Sequence, residues 1–431
     1  MFNIDGISMN TKARTLIKDA FEPKESNLSK NYKVNETIPK FLLPKEIGVI
    51  KTRRPAFTNV KKRLNGELDL FVSCFDIRPF KSHHEVKKFT NISQALENRN
   101  NFENLKSKTL TDDITWPNDT TYVRMPGFEG LLVSSGFFVP GFRTGEISFI
   151  DLNRNKKLKI TKDKEGWFYH RAVPFDLKND GNVGILTARS NKSLIPAKTL
   201  GELVWLEKQK EKNHWKEHIL IKGPDVHFSI VDLDKNGKKG ILAAEFFSDK
   251  LSLIWLEKDK FKRKVFDQGL GQPFDIQAFD LNNDGKKELL VTNHCKNGSV
   301  FVYEIPEDIK EGTWKRHEIL SNIKVDAMFL KPEHAPGKAI PFYPNKNMKG
   351  KPYIIVAGDG SHKVHMLVPK QPHNHNNWDY HEEILYSGKH TVGQISVGNF
   401  SKDGTASIFV PLYEKDEIKV FKFNKGDGKY V

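Results

Sequence analysis

The stretch Phe279-Asp280-Leu281-Asn282-Asn283-Asp284-Gly285-Lys286-Lys287-Glu288-Leu289-Leu290-Val291 decides the fold. Counted from Asp280, oxygen-bearing side chains stand at positions one, three, five and nine, a glycine stands at six, and an apolar run follows. Hard divalent cations take carboxylate and amide oxygens offered at alternate positions of a tight loop, and glycine admits the sharp bend such a loop needs. The spacing reads as a calcium-type loop between two β-strands.

The element returns. Phe175-Asp176-Leu177-Lys178-Asn179-Asp180-Gly181 precedes Ile185-Leu186-Thr187, Val231-Asp232-Leu233-Asp234-Lys235-Asn236-Gly237 precedes Ile241-Leu242-Ala243, and Asn399-Phe400-Ser401-Lys402-Asp403-Gly404 precedes Ile408-Phe409-Val410. The loops open at 176, 232, 280 and 399, a period of roughly 50 residues with the last interval two periods long. Strands on both sides of a loop at that period mark a β-propeller blade. A second mark travels with the first: Trp215-Lys216-Glu217-His218, Trp314-Lys315-Arg316-His317 and Trp378-Asp379-Tyr380-His381 each stand just before the next unit, where a blade's outer strand belongs. Packing of that outer strand is the expected role of these Trp and His residues.

The loop-plus-strand pattern resembles the FG-GAP/VCBS repeat family of integrin-type propellers. Its Trp-x-x-His-x-Ile variety is similar to the propeller part of fungal aldos-2-ulose dehydratases. The resemblance runs over residues 168–424, weakens over 51–167 and is absent before them. It implies a propeller with structural calcium in its loops, and points toward sugar-like or polyol substrates undergoing elimination or isomerisation.

A chain of 431 residues could hold two or three domains, but a repeat array favours one large domain. No apolar run reaches membrane-spanning length. The opening Met1-Phe2-Asn3-Ile4-Asp5-Gly6 lacks a basic segment followed by an apolar one, so the expected location is cytoplasmic, or extracellular if this is not the true start. Two cysteines, Cys74 and Cys295, cannot build a disulfide framework. The formal charge of +15 is scattered over turns and strand edges, as at Lys238-Lys239 and Lys286-Lys287. Nucleic-acid binders gather such charge around aromatic platforms or a recognition helix, and neither is visible, so lysine-protected edges are the better reading.

Residues 1–50 read as an irregular N-terminal extension, and 51–431 as the propeller. Its first unit is interrupted by an insertion over about 77–122 that carries a helix from Ile92 to Lys106. The count of units gives an all-β propeller of seven blades, with six as the alternative. Closure of the ring pairs early strands with the tail Glu417-Ile418-Lys419-Val420-Phe421-Lys422-Phe423, because an open propeller exposes an edge.

Asp280, Asn282, Asp284 and Glu288 form a full calcium set. Asp232, Asp234 and Asn236 form a weaker one, because Gly240 stands at position nine, and the loop at Asp176 loses its ligands at Lys178 and Gly184. Opposite these turns, the starts of the inner strands and the loops between second and third strands open on one face. They carry His170 and Arg171 with Arg189, His227 with Glu245, Asp275 with His294, Asp326 with Asp359 and His362, and His390 with Tyr413. Such a level of titratable side chains around the axis implies a pocket for a small polar or sugar-like molecule.

The candidate chemistry is that of an acid/base lyase or isomerase. His227 is the base, His170 or His390 the acid, and Arg171 and Arg189 the anion or oxyanion donors; Glu245, Asp275 and Asp326 orient groups or bind metal. A second divalent ion in the funnel, held by His227, Glu245 and Asp275, would polarise a carbonyl. The alternative is a non-catalytic platform that holds a protein or glycan partner at the rim.

Overall fold

The computed structural model describes residues 42–424 apart from 63–65, 77–82, 99–101, 126–127, 138–143, 195–196, 210–213, 234–236 and 326–333. Their strands form seven four-stranded antiparallel sheets, the blades of a seven-bladed propeller. The inner strands are Pro55–Lys62, Pro117–Met125, Trp167–Asp176, His227–Asp232, Pro273–Phe279, Ala339–Phe342 and Ser396–Gly398, for blades 1 to 7 in turn. Among the described residues no helix is long and apolar enough to cross a membrane.

Second strands are apolar on both faces because each is sandwiched between neighbouring blades. Glu288–Asn293 and Ser407–Leu412 are buried throughout, whereas the outer strand Tyr380–Ser387 has no buried residue and alternates exposed with half-buried positions. Between blades 4 and 5, Leu242, Leu251 and Leu253 meet Ile276, Leu289 and Val291. Fully burying each such side chain contributes about 1.5–3 kcal/mol.

The recurring Trp and His residues are outer-strand fastenings. His218 Nε2 lies 2.9 Å from Glu207 Oε2 and His317 Nε2 lies 2.7 Å from Glu304 Oε1, each joining the two outer strands of its blade. Trp378 Nε1 donates to Glu304 at 3.2 Å, and Trp314 stacks on Phe266 at 4.2 Å.

Closure uses the earliest described strand. Lys45–Lys51 pairs with Glu417–Lys422 as the outermost strand of blade 7, from Lys45 opposite Lys422 to Lys51 opposite Glu417. The propeller thus begins several residues before position 51. Ile47 and Ile50 join Ile418 and Val420 in a core shared with Val60, Leu70 and Val72 of blade 1.

Within the expected insertion over 77–122, the described strands are blade structure. His84–Phe89 and Ser107–Thr111 are the outer strands of blade 1, and Pro117–Met125 opens blade 2. Their apolar pattern is thin because outer strands keep one side wet: Ser107–Thr111 buries only its last two residues. The helix between them is Ile92–Glu97, shorter than predicted, and seats Ile92, Ala95 and Leu96 in the same core. Cys74 and Cys295 are both free thiols.

Two of the acidic turns, at Asp176 and Asp280, share one geometry. Asp280 accepts from the N–H groups of Asp284 at 3.2 Å and Gly285 at 3.0 Å, and Asp176 accepts from Asp180 at 3.2 Å and Gly181 at 2.7 Å. Asn283 and Asn179 are left-handed at φ 61° and 57°, and both glycines have φ 86°. First-position aspartate and sixth-position glycine are enough to shape the turn.

Candidate functional site

At the opposite end of the axis four inner strands break register. In blade 1, Pro55 faces Cys74 and Phe57 faces Ser73, leaving Ala56 out. Pro117 and Thr120 of blade 2 flank unpaired Asn118 and Asp119; Tyr169 and Arg171 of blade 3 flank His170; Pro273 and Asp275 of blade 5 flank Phe274. A bulge frees its extra residue from the ladder and re-aims the side chain. Ala56, Asn118, His170 and Phe274 all line one cavity of about 490 Å³. Three of the breaks follow a proline, which has no N–H to give the ladder.

An unbroken series of ring contacts runs around this mouth. Tyr413 meets Phe75 at 5.7 Å between centroids, Phe75 meets Trp116 at 4.9 Å, and Trp116 stacks on Phe137 at 5.8 Å. Phe137 meets His170 at 6.3 Å, and His170 meets His227 at 6.1 Å. His227, Phe274, His294 and His334 follow at 5.2, 5.1 and 5.4 Å. Trp116 is left-handed at φ 53°, an uncommon conformation for a bulky residue, and its carbonyl accepts from the Gly136 N–H at 3.0 Å.

Charged and polar groups form the floor. Lys338, which leads into blade 6, points its Nζ at Asp119 Oδ2 of blade 2 at 3.5 Å, and Gln394 Nε2 of blade 7 donates to Asp119 Oδ1 at 3.2 Å. Gln277 Nε2 of blade 5 donates to Asp275 and to the Ala339 carbonyl. Several buried polar atoms here have no hydrogen-bond partner among the described residues: both ring nitrogens of His227, Asp275 Oδ1, Arg171 Nε and Gln394 Oε1. Such atoms are costly unless something polar meets them.

Burial sets the protonation states. It pushes the His170 imidazole down to about 4, helped by the Lys338 charge and opposed by Asp119, and pushes His294 to about 4 against its contact with the Pro336 carbonyl. His227 is held well below the usual range by burial, with Lys338 and His170 adding. Burial raises the Asp275 carboxyl. It would raise Asp119 too, but Lys338, Arg171 and the Gln394 amide together hold that carboxyl below its ordinary value. At neutral pH His170, His227 and His294 are therefore neutral imidazoles above the Lys338–Asp119 ion pair.

Of the residues singled out in the sequence, His170 lines the cavity, and Arg171, His227 and Asp275 stand in the buried cluster with it. His294, Asp359 and Tyr413 line it as well. Arg189 turns outward, forked between Glu202 at 2.6 Å and Glu217 at 2.7 Å and lying 4.5 Å over the Trp167 ring. Glu245 is bound by Ser252 at 2.6 Å, Ser248 at 3.1 Å and Arg263 at 3.3 Å, so the trio with His227 and Asp275 is not brought to one point. His390 is half-buried and is not one of the lining residues, although Thr391 beside it is; Asp326 lies outside the described residues.

Sequence reasoning missed Lys338, Asp119, Gln394 and the aromatic wall. The Pro-x dipeptides at 55, 117 and 273 carried the signal for the bulges.

At the acidic turns, Glu288 Oε2 accepts from the Leu281 N–H at 2.8 Å, and His375 Nδ1 lies 2.7 Å from the Asn282 carbonyl. Burial, with Asp284 and Asp280 adding, pushes the Glu288 carboxyl up to about 7 against the Leu281 N–H. Asp232 is bridged by Lys239, and its partners Asp234 and Asn236 lie outside the described residues. Asp403 pairs with Lys422 at 3.0 Å.

No family model and no curated protein matches the chain. Solved structures that are similar in part include the following two. One, from Bacteroides uniformis and carrying a provisional assignment as a 6-phosphogluconolactonase, is 12% identical with a TM-score of 0.44, over 77% of this chain and 85% of that one. The other, the soluble aldose sugar dehydrogenase of Escherichia coli in its apo form, is 12% identical with a TM-score of 0.43, over 74% of this chain and 99% of that one.

Proposed function

We propose that the axial cavity binds a small polar, sugar-like molecule and acts on it by acid/base chemistry, as a lyase or isomerase. The observation that carries this reading is the set of partnerless buried polar atoms gathered beneath an aromatic-walled mouth. Aromatic faces stack on the apolar faces of a ring, and convergent polar groups fix its hydroxyls.

A neutral imidazole accepts a proton, so His170 is the base that meets the ligand, and His227 lies behind it. With its pKa near 4, His170 does not serve as the acid at neutral pH. The cations Lys338 and Arg171 stabilise oxyanion character as a proton leaves the carbon next to a carbonyl. Asp119 and Gln394 position the Lys338 amine.

The reading includes calcium at Asp280, Asn282, Asp284 and Glu288. These donors are the oxygens calcium prefers, and the raised Glu288 carboxyl, crowded by two like charges, is where a divalent cation adds the compensating charge. Its role is structural.

The test is calorimetric titration with a panel of monosaccharides, polyols and aldonic acids. A saturable response to at least one probe, reduced at least tenfold by Lys338→Met and by Phe274→Ala in variants of native secondary structure, is expected. A folded protein that binds none of them, or binds equally well in both variants, overturns the reading and leaves the rim as a protein- or glycan-holding platform.

A further inference from the structure

The mouth has two unlike halves. On the side of blades 7, 1 and 2 its wall is Tyr413, Phe75, Phe57, Trp116 and Phe137. Most polar groups on that side are already committed to the protein: the Tyr413 hydroxyl donates to the Phe75 carbonyl at 2.8 Å, the Asn118 amide donates to the carbonyls of Gly136 and Tyr169, both at 2.8 Å, and the Thr391 N–H and hydroxyl donate to Glu414 at 2.7 and 2.9 Å, which leaves Gln394 Oε1 open at its edge. On the side of blades 3, 5 and 6 the wall carries His170, His294, His334 and Lys338 together with Phe274; the His294 Nδ1 meets the Pro336 carbonyl at 3.0 Å and the Lys338 amine meets Asp119 at 3.5 Å. The Trp116 and Phe137 planes lie within 14° of each other, with centroids 5.8 Å apart.

A free hexose carries hydroxyls around its whole rim. Seated here it would turn some of them to the apolar half, where each loses its water without gaining a partner. A cavity of about 490 Å³ is also of the size that encloses a drug-sized molecule.

Resting on the reading of the site as one for sugar-like molecules, we infer that its ligand is two-faced. A hydroxylated ring lies against His170, His294 and Lys338, and a planar apolar group joined to that ring lies against Phe75, Trp116 and Phe137. The ligand class is an aryl glycoside whose ring carries a carbonyl or carboxyl carbon, or a close equivalent.

Matched pairs test this: p-nitrophenyl glucoside, galactoside, mannoside and xyloside against the four parent sugars, with p-nitrophenol as the control, titrated calorimetrically into the full chain. At least one aryl glycoside is expected to bind ten or more times as tightly as its parent. In Phe137→Ala, a side chain 43% exposed whose removal leaves the core intact, the ratio of the two affinities within that pair should fall to about one.

Equal affinities within every pair overturn the two-faced ligand and leave the sugar-binding reading standing. A gain that survives Phe137→Ala, or p-nitrophenol binding as tightly as the glycosides, overturns it too. No binding by any sugar or glycoside overturns both.

Discussion

Lys338 and Asp119 meet across the propeller axis, Nζ to Oδ2 at 3.5 Å, with side chains only 8% and 12% exposed. Blades 2 and 6 are thereby tied through the middle of the ring. Removing one partner of such a buried pair strands the other charge, a loss on the order of 3–5 kcal/mol, whereas replacing both with apolar groups is far milder. Asp119→Asn and Lys338→Met should each lower the unfolding free energy by that order in urea melts. The double variant Asp119→Leu with Lys338→Met should recover most of it.

The buried histidines set an acid limit. His170 and His294 have native values of about 4 against an ordinary 6.5, so between those two pH values the unfolded chain takes up protons that the folded one refuses. Stability is complete above pH 6.5 and falls as pH drops toward 4, by about 3 kcal/mol for each group. Urea midpoints measured from pH 7.5 to 4.5 should show this slope, and His170→Gln with His294→Gln should reduce it, the part owed to buried His227 remaining.

Calcium binding at the Asp280 turn should be pH-dependent around neutrality. Glu288 sits at about 7 without metal and must lose its proton to act as a ligand. Affinity should therefore fall about tenfold from pH 8 to pH 6, the protons displaced per ion rising from about 0.1 to about 0.9 over that range. Calcium should raise the melting temperature of the chelator-treated protein, and Asp280→Ala should abolish the rise. Equal calorimetric affinities at the two pH values would remove Glu288 from the ligand set.

Cutting the chain before Thr52 should open the ring. Blade 7 then loses the strand Lys45–Lys51, buried Glu417 loses its 2.6 Å contact with Lys51, and the cores of Ile47 and Ile50 are exposed. Each isoleucine contributes about 1.5–3 kcal/mol. The freed edge of Glu417–Lys422 is a template for pairing with another chain, so the truncated protein should associate on size-exclusion columns where the full chain does not.

The repeat was legible because its marks are local. Asp280 to Gly285 make their own hydrogen bonds, and second strands such as Glu288–Asn293 need an unbroken apolar run, so both survive as patterns in the chain. Outer strands sit half in water, which is why His84–Phe89 and Ser107–Thr111 read as an insertion.

At the mouth, position along the strand identified His170 and Asp275 but could not tell axis from flank. Arg189 and Glu245 stand at comparable heights, yet pairing with Glu202 and Glu217, or with Arg263, draws them away from the centre. Lys338 and Asp119 are 219 positions apart in sequence and have no shared motif, so only folding discloses their partnership.

Closure by Lys45–Lys51 also orders events on the ribosome. The segment emerges before every other described strand, yet its partner Glu417–Lys422 is made after them, so six sheets can be complete while the seventh waits for its last strand. A stalled or nonsense-shortened product that stops before Glu417 keeps an unmatched strand at each end of the array. It is a substrate for chaperones and proteases however well its other blades have formed.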